Sequence, residues 1–289
     1  MRQAYLICAH GSFNLLRILI SQLDYPDNDI FIHFDKKCGE INYFQFEAIT
    51  RYSKVCCLHD RISVKWGDVS QTKADLMLII AAKSYSKYDY YHLISGVDLP
   101  IKSNEYIKHF LEKHNGKEFV GFKPWDATLD YKLGLYHLMP KNVQDKYSLL
   151  NFLNKCLLKI QKILNIRHYK DTHKFCKGCN WWSITDRLAS LLIENKDKIL
   201  RKYRYTSCSD EIFVQTIISE HPEIISNVYD IHNEYKSCLR CIDWDRGNPY
   251  IWQAEDINML MTSDALFARK FSESKITVVN EIITRLNNR

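Results

Sequence analysis

The chain has 289 residues, 46% hydrophobic and 26% charged, which is the composition of a globular protein long enough to bury a sizeable core. Its formal charge of +6 is the small difference between 40 basic and 34 acidic residues. These are interspersed along the chain, which excludes a charged tail and any nucleic-acid footprint while still suiting a small anionic substrate.

Residues 4–9 (AYLICA) are an unbroken apolar run fit for a strand buried on both faces. Residues 13–23 place apolar side chains at helical spacing until Tyr25-Pro26-Asp27-Asn28 breaks the pattern. Residues 29–34 (DIFIHF) read as a second strand ending at Asp35-Lys36-Lys37. This strand-helix-strand opening predicts a parallel sheet that binds ligands at the carboxyl ends of its strands, where Asp35 stands. Residues 55–58 form a short strand, and a helix over 70–84 follows Trp66-Gly67-Asp68. The strand at 90–94 stops at Ser95-Gly96-Val97-Asp98-Leu99-Pro100, Ser103 opens a helix to about residue 113, and 118–122 are strand-like.

Residues 124–175 are less regular, apart from a basic amphipathic helix over 149–164 (LLNFLNKCLLKIQKIL). Such a helix suits a membrane surface, but its wide apolar face favours docking on the domain instead. Order then resumes with a strand at 180–185, a helix at 187–203 and a helix at 210–219 opened by Ser209-Asp210-Glu211. A strand at 239–244, a helix at 254–261, the segment FARKF at 267–271 and a closing helix at 278–286 complete the chain. Without a linker or repeat, residues 1–289 are expected to form one α/β unit. Residues up to about 122 make a nucleotide-binding half, and the rest an acceptor and catalytic half. Apolar residues nowhere approach the roughly 20 in a row of a membrane span, and no cleavage site follows the first strand. The expected location is therefore cytoplasmic, with at most peripheral contact at the inner face of the membrane.

Ten cysteines without a signal peptide read as free thiols. Two CxxC pairs, Cys176/Cys179 and Cys238/Cys241, would supply four thiolates for zinc, but they lie about 60 residues apart, too far for a ribbon-type site. Asp243-Trp244-Asp245 is a DxD that would suit magnesium or manganese against a diphosphate, although it follows the catalytic candidates rather than the nucleotide-binding half. Glu211 is a candidate general base, since the first turn of a helix favours an ionised carboxylate; the alternative is that Asp210 and Glu211 only cap that helix. Arg246 and Lys270, 24 positions apart, would converge on a phosphate if strand 239–244 and FARKF fold together, although singly each reads as a solvated cation. Trp181 and Trp182 would stack on sugar rings, but neighbours on a strand face opposite ways, so at most one reaches a site.

In order along the chain, AYLICAH, FIHFDKK, KWGDVSQTKADL, YYHLISGVDLPIKSNEYI, GCNWWSIT, SCSDEIFVQT, LRCIDW and LFARKF resemble the Core-2/I-branching glycosyltransferases. That family of β-1,6-N-acetylglucosaminyltransferases also holds the peptide O-xylosyltransferases, and residues 279–286 are similar to the xylosyltransferase tail. The resemblance implies a GT-A-type fold with a Rossmann-like, mostly parallel sheet flanked by helices. It also implies an inverting transfer from a UDP-sugar, with N-acetylglucosamine or xylose expected, to a glycan or other hydroxyl acceptor. No metal or other cofactor is expected, because Arg and Lys neutralise the diphosphate. By position, Glu211 is the base and Lys270 a phosphate ligand; the family arginine falls on Arg246, with Arg240 as competitor. Asp35 contacts the nucleoside, and His10 and Asp98 belong to the donor pocket; for Asp98, loop architecture is an equal explanation. Trp181 and Trp182 remain acceptor candidates. The chain is shorter than the animal members and lacks their N-terminal anchor and disulfide set, which reads as a bacterial relative making surface polysaccharide. Two other readings stay open: a metal-dependent enzyme using Asp243 and Asp245, and a nucleotide- or carbohydrate-binding protein without turnover.

Overall fold

A computed structural model describes residues 1–138 and 149–287. A five-stranded sheet has the order β3-β2-β1-β4-β6, built from β1 (Gln3–Ala9), β2 (Asn28–Phe34), β3 (Val55–Cys57), β4 (Tyr90–Ser95) and β6 (Ser183–Thr185). The first four pair in parallel, with Ile7 opposite both Ile32 and Ile94, and β6 closes the edge antiparallel through Tyr91 and Ile184. This is the mostly parallel, helix-flanked α/β architecture that the opening motif predicts.

Both faces of this sheet are covered, which is why β1 reads as continuously apolar. Tyr5, Ile7 and Ala9 face a core containing helix Phe13–Leu23 and helix Ile276–Asn287. Ala4 and Leu6 face a second core containing helix Ser70–Tyr85, helix Asp186–Glu194 and helix Phe213–Ser219.

A smaller sheet has the order β5-β8-β7, from β5 (Leu99–Pro100), β7 (Arg240–Ile242) and β8 (Phe267–Arg269); β7 lies within the strand expected at 239–244, whereas β5 and β8 were not expected as strands. Its strands are two or three residues long, too short for an alternating pattern to register. Arg240 joins the two sheets. Its buried guanidinium donates to the carbonyls of Cys238 at 2.6 Å, Trp182 at 2.8 Å and Leu93 at 3.1 Å, and lies 4.7 Å from the centre of the Phe267 ring. Arg240 is thereby a buried structural cation and not an open phosphate ligand.

Several expected elements are shorter or divided. The helix expected at 187–203 breaks at Asn195, whose side chain donates to the Leu191 carbonyl at 2.9 Å, giving Asp186–Glu194 and Lys196–Lys202. The helix expected at 254–261 is a 3-10 turn, Ala254–Asp256, followed by Ile257–Thr262. Residues 118–122 contribute isolated bridges only, through Glu118 and Phe119. Helix Ala127–Gly134, capped by the Asp126 carboxylate, lies in the stretch that looked irregular.

The basic helix is present as Leu149–Ile163, but among the described residues nothing docks against its apolar face. Asn151, Leu158 and Gln161 turn inward, while Leu149, Phe152 and Ile163 are exposed. Among the described residues, no helix is long and apolar enough to cross a membrane.

Candidate active site

Parallel pairing aligns the carboxyl ends of β1, β2 and β4 along one edge, with Ala9 opposite Phe34 and Cys8 opposite Ser95. His10 leaves β1 at that edge and Asp35 leaves β2, where the Asp35 amide donates to the Ala9 carbonyl at 2.8 Å. Asp35 is buried. Its carboxylate accepts from the Lys37 amide at 2.9 Å and lies 3.3 Å from the Lys37 ammonium. Next to it, a cavity of about 670 Å³ is lined by Lys36, Tyr43, His59, Asp60, Arg61 and Lys73.

The end of β8 reaches the same edge because the Phe271 amide donates to the Val97 carbonyl at 2.9 Å. Asp98 is buried and accepts from the Ser95 amide at 2.8 Å, from the Ser95 hydroxyl at 2.7 Å and from Arg269 at 2.8 Å. Arg269 also donates to the Ser95 hydroxyl, and its guanidinium carbon stands 4.5 Å from the centre of the Trp181 ring. Lys270 is half-buried and, among the described residues, has no carboxylate ion pair. Partial desolvation pulls the His10 imidazole below its usual pKa; Arg269 adds to the effect, Asp35 opposes it, and Lys37 and Lys270 contribute further lowering. His10, Asp35, Arg269 and Lys270 therefore share one electrostatic neighbourhood.

Glu211 sits on the 3-10 turn Ser209–Glu211, which follows Cys208 in the left-handed region at φ 51°. Ile212 separates this turn from helix Phe213–Ser219, so Glu211 is not in the first turn of an α-helix and the dipole argument fails for it. Neighbouring segments hold it instead. The Glu211 carbonyl accepts from the Gly178 amide at 2.9 Å, Cys208 donates to the Gly67 carbonyl at 3.0 Å, and Thr72 and Ser209 share a hydroxyl hydrogen bond of 2.8 Å. Gly178 is required there, because a Cβ would fall 1.9 Å from the Gly121 carbonyl oxygen. The Glu211 carboxylate pairs with the Lys132 ammonium and stays accessible. Asp210, beside it, accepts from the Asn180 amide at 3.3 Å; burial first, then the Glu211 charge, raise its carboxyl pKa to about 7. Asn180 and Trp181, adjacent in sequence, thus link the Glu211 turn to the Arg269 cluster.

Both tryptophans are buried, Trp182 fully, and of the two only Trp181 touches the basic cluster, through Arg269. The strand expected at 239–244 and the FARKF segment do fold together: β7 and β8 pair in parallel, the Lys270 backbone amide donates to the Tyr250 carbonyl at 3.4 Å, and the Arg246 guanidinium covers the Tyr250 ring at 4.0 Å. Arg246 is held by Asp243 at 2.6 Å and Asp256 at 2.8 Å. Asp243 also accepts the Asp245 and Arg246 amides at 2.9 Å, so the first carboxylate of the DxD serves its own turn. Cys179 and Cys238, one from each CxxC pair, are close enough to influence each other's ionisation, and all ten cysteines are free thiols. Among the described residues, no group of three or more His, Cys, Asp or Glu is placed to hold a metal. Lys132 and Arg269 had no assigned role in the sequence; Lys132 belongs to no recognisable motif, whereas Arg269 adjoins a residue that did.

The Core-2/I-branching enzyme family profile matches residues 3–262. A xylosyltransferase of Ciona intestinalis is 22% identical over 99% of this chain and 34% of its own length. Human xylosyltransferase 1 is 24% identical over 99% of this chain and 30% of its own length. The chain thus spans about one third of these curated relatives. Apo mouse xyloside xylosyltransferase 1 superposes over 94% of this chain and 99% of its own at 11% identity and a TM-score of 0.36, too loose a likeness to bear on the fold. The match over nearly the whole chain, on a mostly parallel α/β sheet, places this protein in the Core-2/I-branching enzyme family.

Proposed function

We propose that the chain is an inverting glycosyltransferase that moves a sugar from a UDP-sugar to an acceptor hydroxyl, with Glu211 as general base. The observation that carries this reading is an accessible carboxylate, held by Lys132, linked through Asn180 and Trp181 to a cluster of basic side chains at the strand ends. Glu211 removes the acceptor proton as the hydroxyl oxygen bonds to the anomeric carbon. The bond from that carbon to the diphosphate oxygen breaks on the opposite face, so an α-linked donor gives a β-linked product. Negative charge then grows on the departing UDP. Lys270, which has no carboxylate ion pair among the described residues and whose charge is felt at His10, receives it, with Arg269, held by Asp98, next to it in sequence. Asp35 and the adjoining cavity suit the nucleoside.

Xylose and N-acetylglucosamine head the donors to test, because the matched relatives are named xylosyltransferases and the family is named for branching enzymes. A metal-dependent reaction through Asp243 and Asp245 is less favoured, since Arg246 and two backbone amides already use Asp243. The test is UDP release from a donor panel together with thermal shift by UDP. Glu211→Gln should lose release and keep the shift; a binding protein without turnover would show the shift and no release in the unaltered chain.

A further inference from the structure

Helix Leu149–Ile163 is mounted with its polar strip against the body of the protein. Asn151, Leu158 and Gln161 are the buried residues, and Gln161 clamps the helix by accepting from the Tyr136 amide at 2.7 Å and donating to the Tyr136 carbonyl at 3.0 Å. The other side carries Leu149, Leu150, Phe152, Leu153, Ile160 and Ile163, between 40% and 71% exposed. At about 100° per residue these side chains span an arc of roughly 160°, as wide as the face with which a surface helix normally enters a core. Among the described residues nothing covers it.

The charge beside this face identifies its partner. From residue 149 to 170 the sequence holds Lys155, Lys159, Lys162, Arg167 and Lys170 and no acidic residue. Lys155, Lys159 and Lys162 are exposed along one border of the apolar arc, where long side chains can bury their stems in hydrocarbon and keep their ammonium groups among headgroups. A second copy of this helix would bring the same cations together, which opposes self-association through this face. At 15 residues, about 22 Å of helix, it is too short to span a bilayer core of roughly 30 Å but long enough to lie along its surface.

We propose that helix Leu149–Ile163 docks the protein on an anionic lipid surface, with Leu149, Phe152, Ile160 and Ile163 entering the interface and Lys155, Lys159 and Lys162 meeting the headgroups. The docking itself does not depend on the proposed chemistry.

The experiment is co-sedimentation of the full chain with vesicles of phosphatidylcholine alone or mixed with phosphatidylglycerol, at low and high salt, with no donor sugar present. The protein should pellet with the mixed vesicles, far less with phosphatidylcholine, and come off as salt rises. Phe152→Ser with Ile163→Ser should weaken partitioning about 100-fold or more. Lys155→Gln, Lys159→Gln and Lys162→Gln should each weaken it about five-fold. These side chains are exposed, and of the three lysines only Lys162 meets a ring among the described residues, Tyr131 at 5.6 Å, so UDP thermal shift and melting temperature should be unchanged in the Phe152/Ile163, Lys155 and Lys159 variants. Failure of the unaltered chain to pellet with mixed vesicles would overturn the proposal, as would equal pelleting of the Phe152/Ile163 variant. So would a dimer in sedimentation velocity that the same variant dissolves while vesicles bind neither.

Discussion

Lys132 on helix Ala127–Gly134 and Glu211 on the turn after Cys208 form an ion pair between segments 79 residues apart. With no helix dipole behind it, the Glu211 carboxylate is oriented by this ammonium and by the backbone that carries it. Lys132→Met should leave Glu211 mispositioned and lower kcat on the order of 10²-fold, as sub-ångström to ångström displacements of catalytic groups do. His10, Asp35 and Lys270 are untouched, so the thermal shift by UDP should persist. Steady-state kinetics beside a UDP titration separates these outcomes.

Arg269 neutralises a carboxylate that is almost wholly enclosed. Asp98 is 2% exposed, and replacing Arg269 with Met would leave its charge without the cation. The expected loss is about 3–5 kcal/mol of stability, measured by urea unfolding. Arg269→Lys should recover part of it.

Lys270 and Arg246 differ in what already holds them. Arg246 lies between Asp243 and Asp256, whereas Lys270 has no carboxylate ion pair among the described residues. Lys270→Ala should therefore weaken UDP binding and reduce turnover on the order of 10²-fold or more, the usual cost of losing a charge contact in the transition state. Asp243→Asn with Asp245→Asn should lower activity only as far as it loosens the Arg246 loop. Calorimetric titration of UDP into each variant distinguishes the two.

Asp210 makes stability depend on pH in a definite direction. Its carboxyl pKa is raised from 3.8 to about 7, chiefly by burial and then by Glu211, with Lys132 and Asn180 opposing. The folded state therefore favours the protonated form: its contribution is full below pH 3.8 and is lost as pH rises towards about 7. Buried Asp75, near Cys8 and Gln71, is shifted upward by burial and by Asp210 in turn. Asp210→Asn should become more stable relative to the unaltered protein as pH increases through that window. Unfolding free energies at several pH values would check the sign.

The first half of the chain is legible in the sequence because its strands are buried on both faces, helix Phe13–Leu23 carries a complete apolar stripe, and helix Ser70–Tyr85 is a long run free of Gly and Pro. β1, β2 and β4 and helices Phe13–Leu23 and Ser70–Tyr85 fall within a residue or two of the expected bounds. The last third is harder because short strands leave no period: β7 falls inside the strand expected at 239–244, but β8 is defined by its pairing with β5 and β7, not by pattern. Glu211, Asp35 and Lys270 were nameable as candidates from their motifs. Lys132 was not, since only the fold brings it to the turn. The amphipathic pattern of helix Leu149–Ile163 was clear, but periodicity alone gives no direction, and Gln161 turns its polar strip inward.

In the proposed reaction Glu211 deprotonates the acceptor while fixed cations stabilise the leaving nucleotide. UDP release from UDP-xylose and UDP-N-acetylglucosamine, measured in EDTA for the unaltered chain and for Glu211→Gln, tests it most directly. The unaltered chain should turn over with at least one acceptor glycan and Glu211→Gln with none, while both bind UDP equally. Undiminished release by Glu211→Gln, or activity that returns only when manganese is restored, would contradict it.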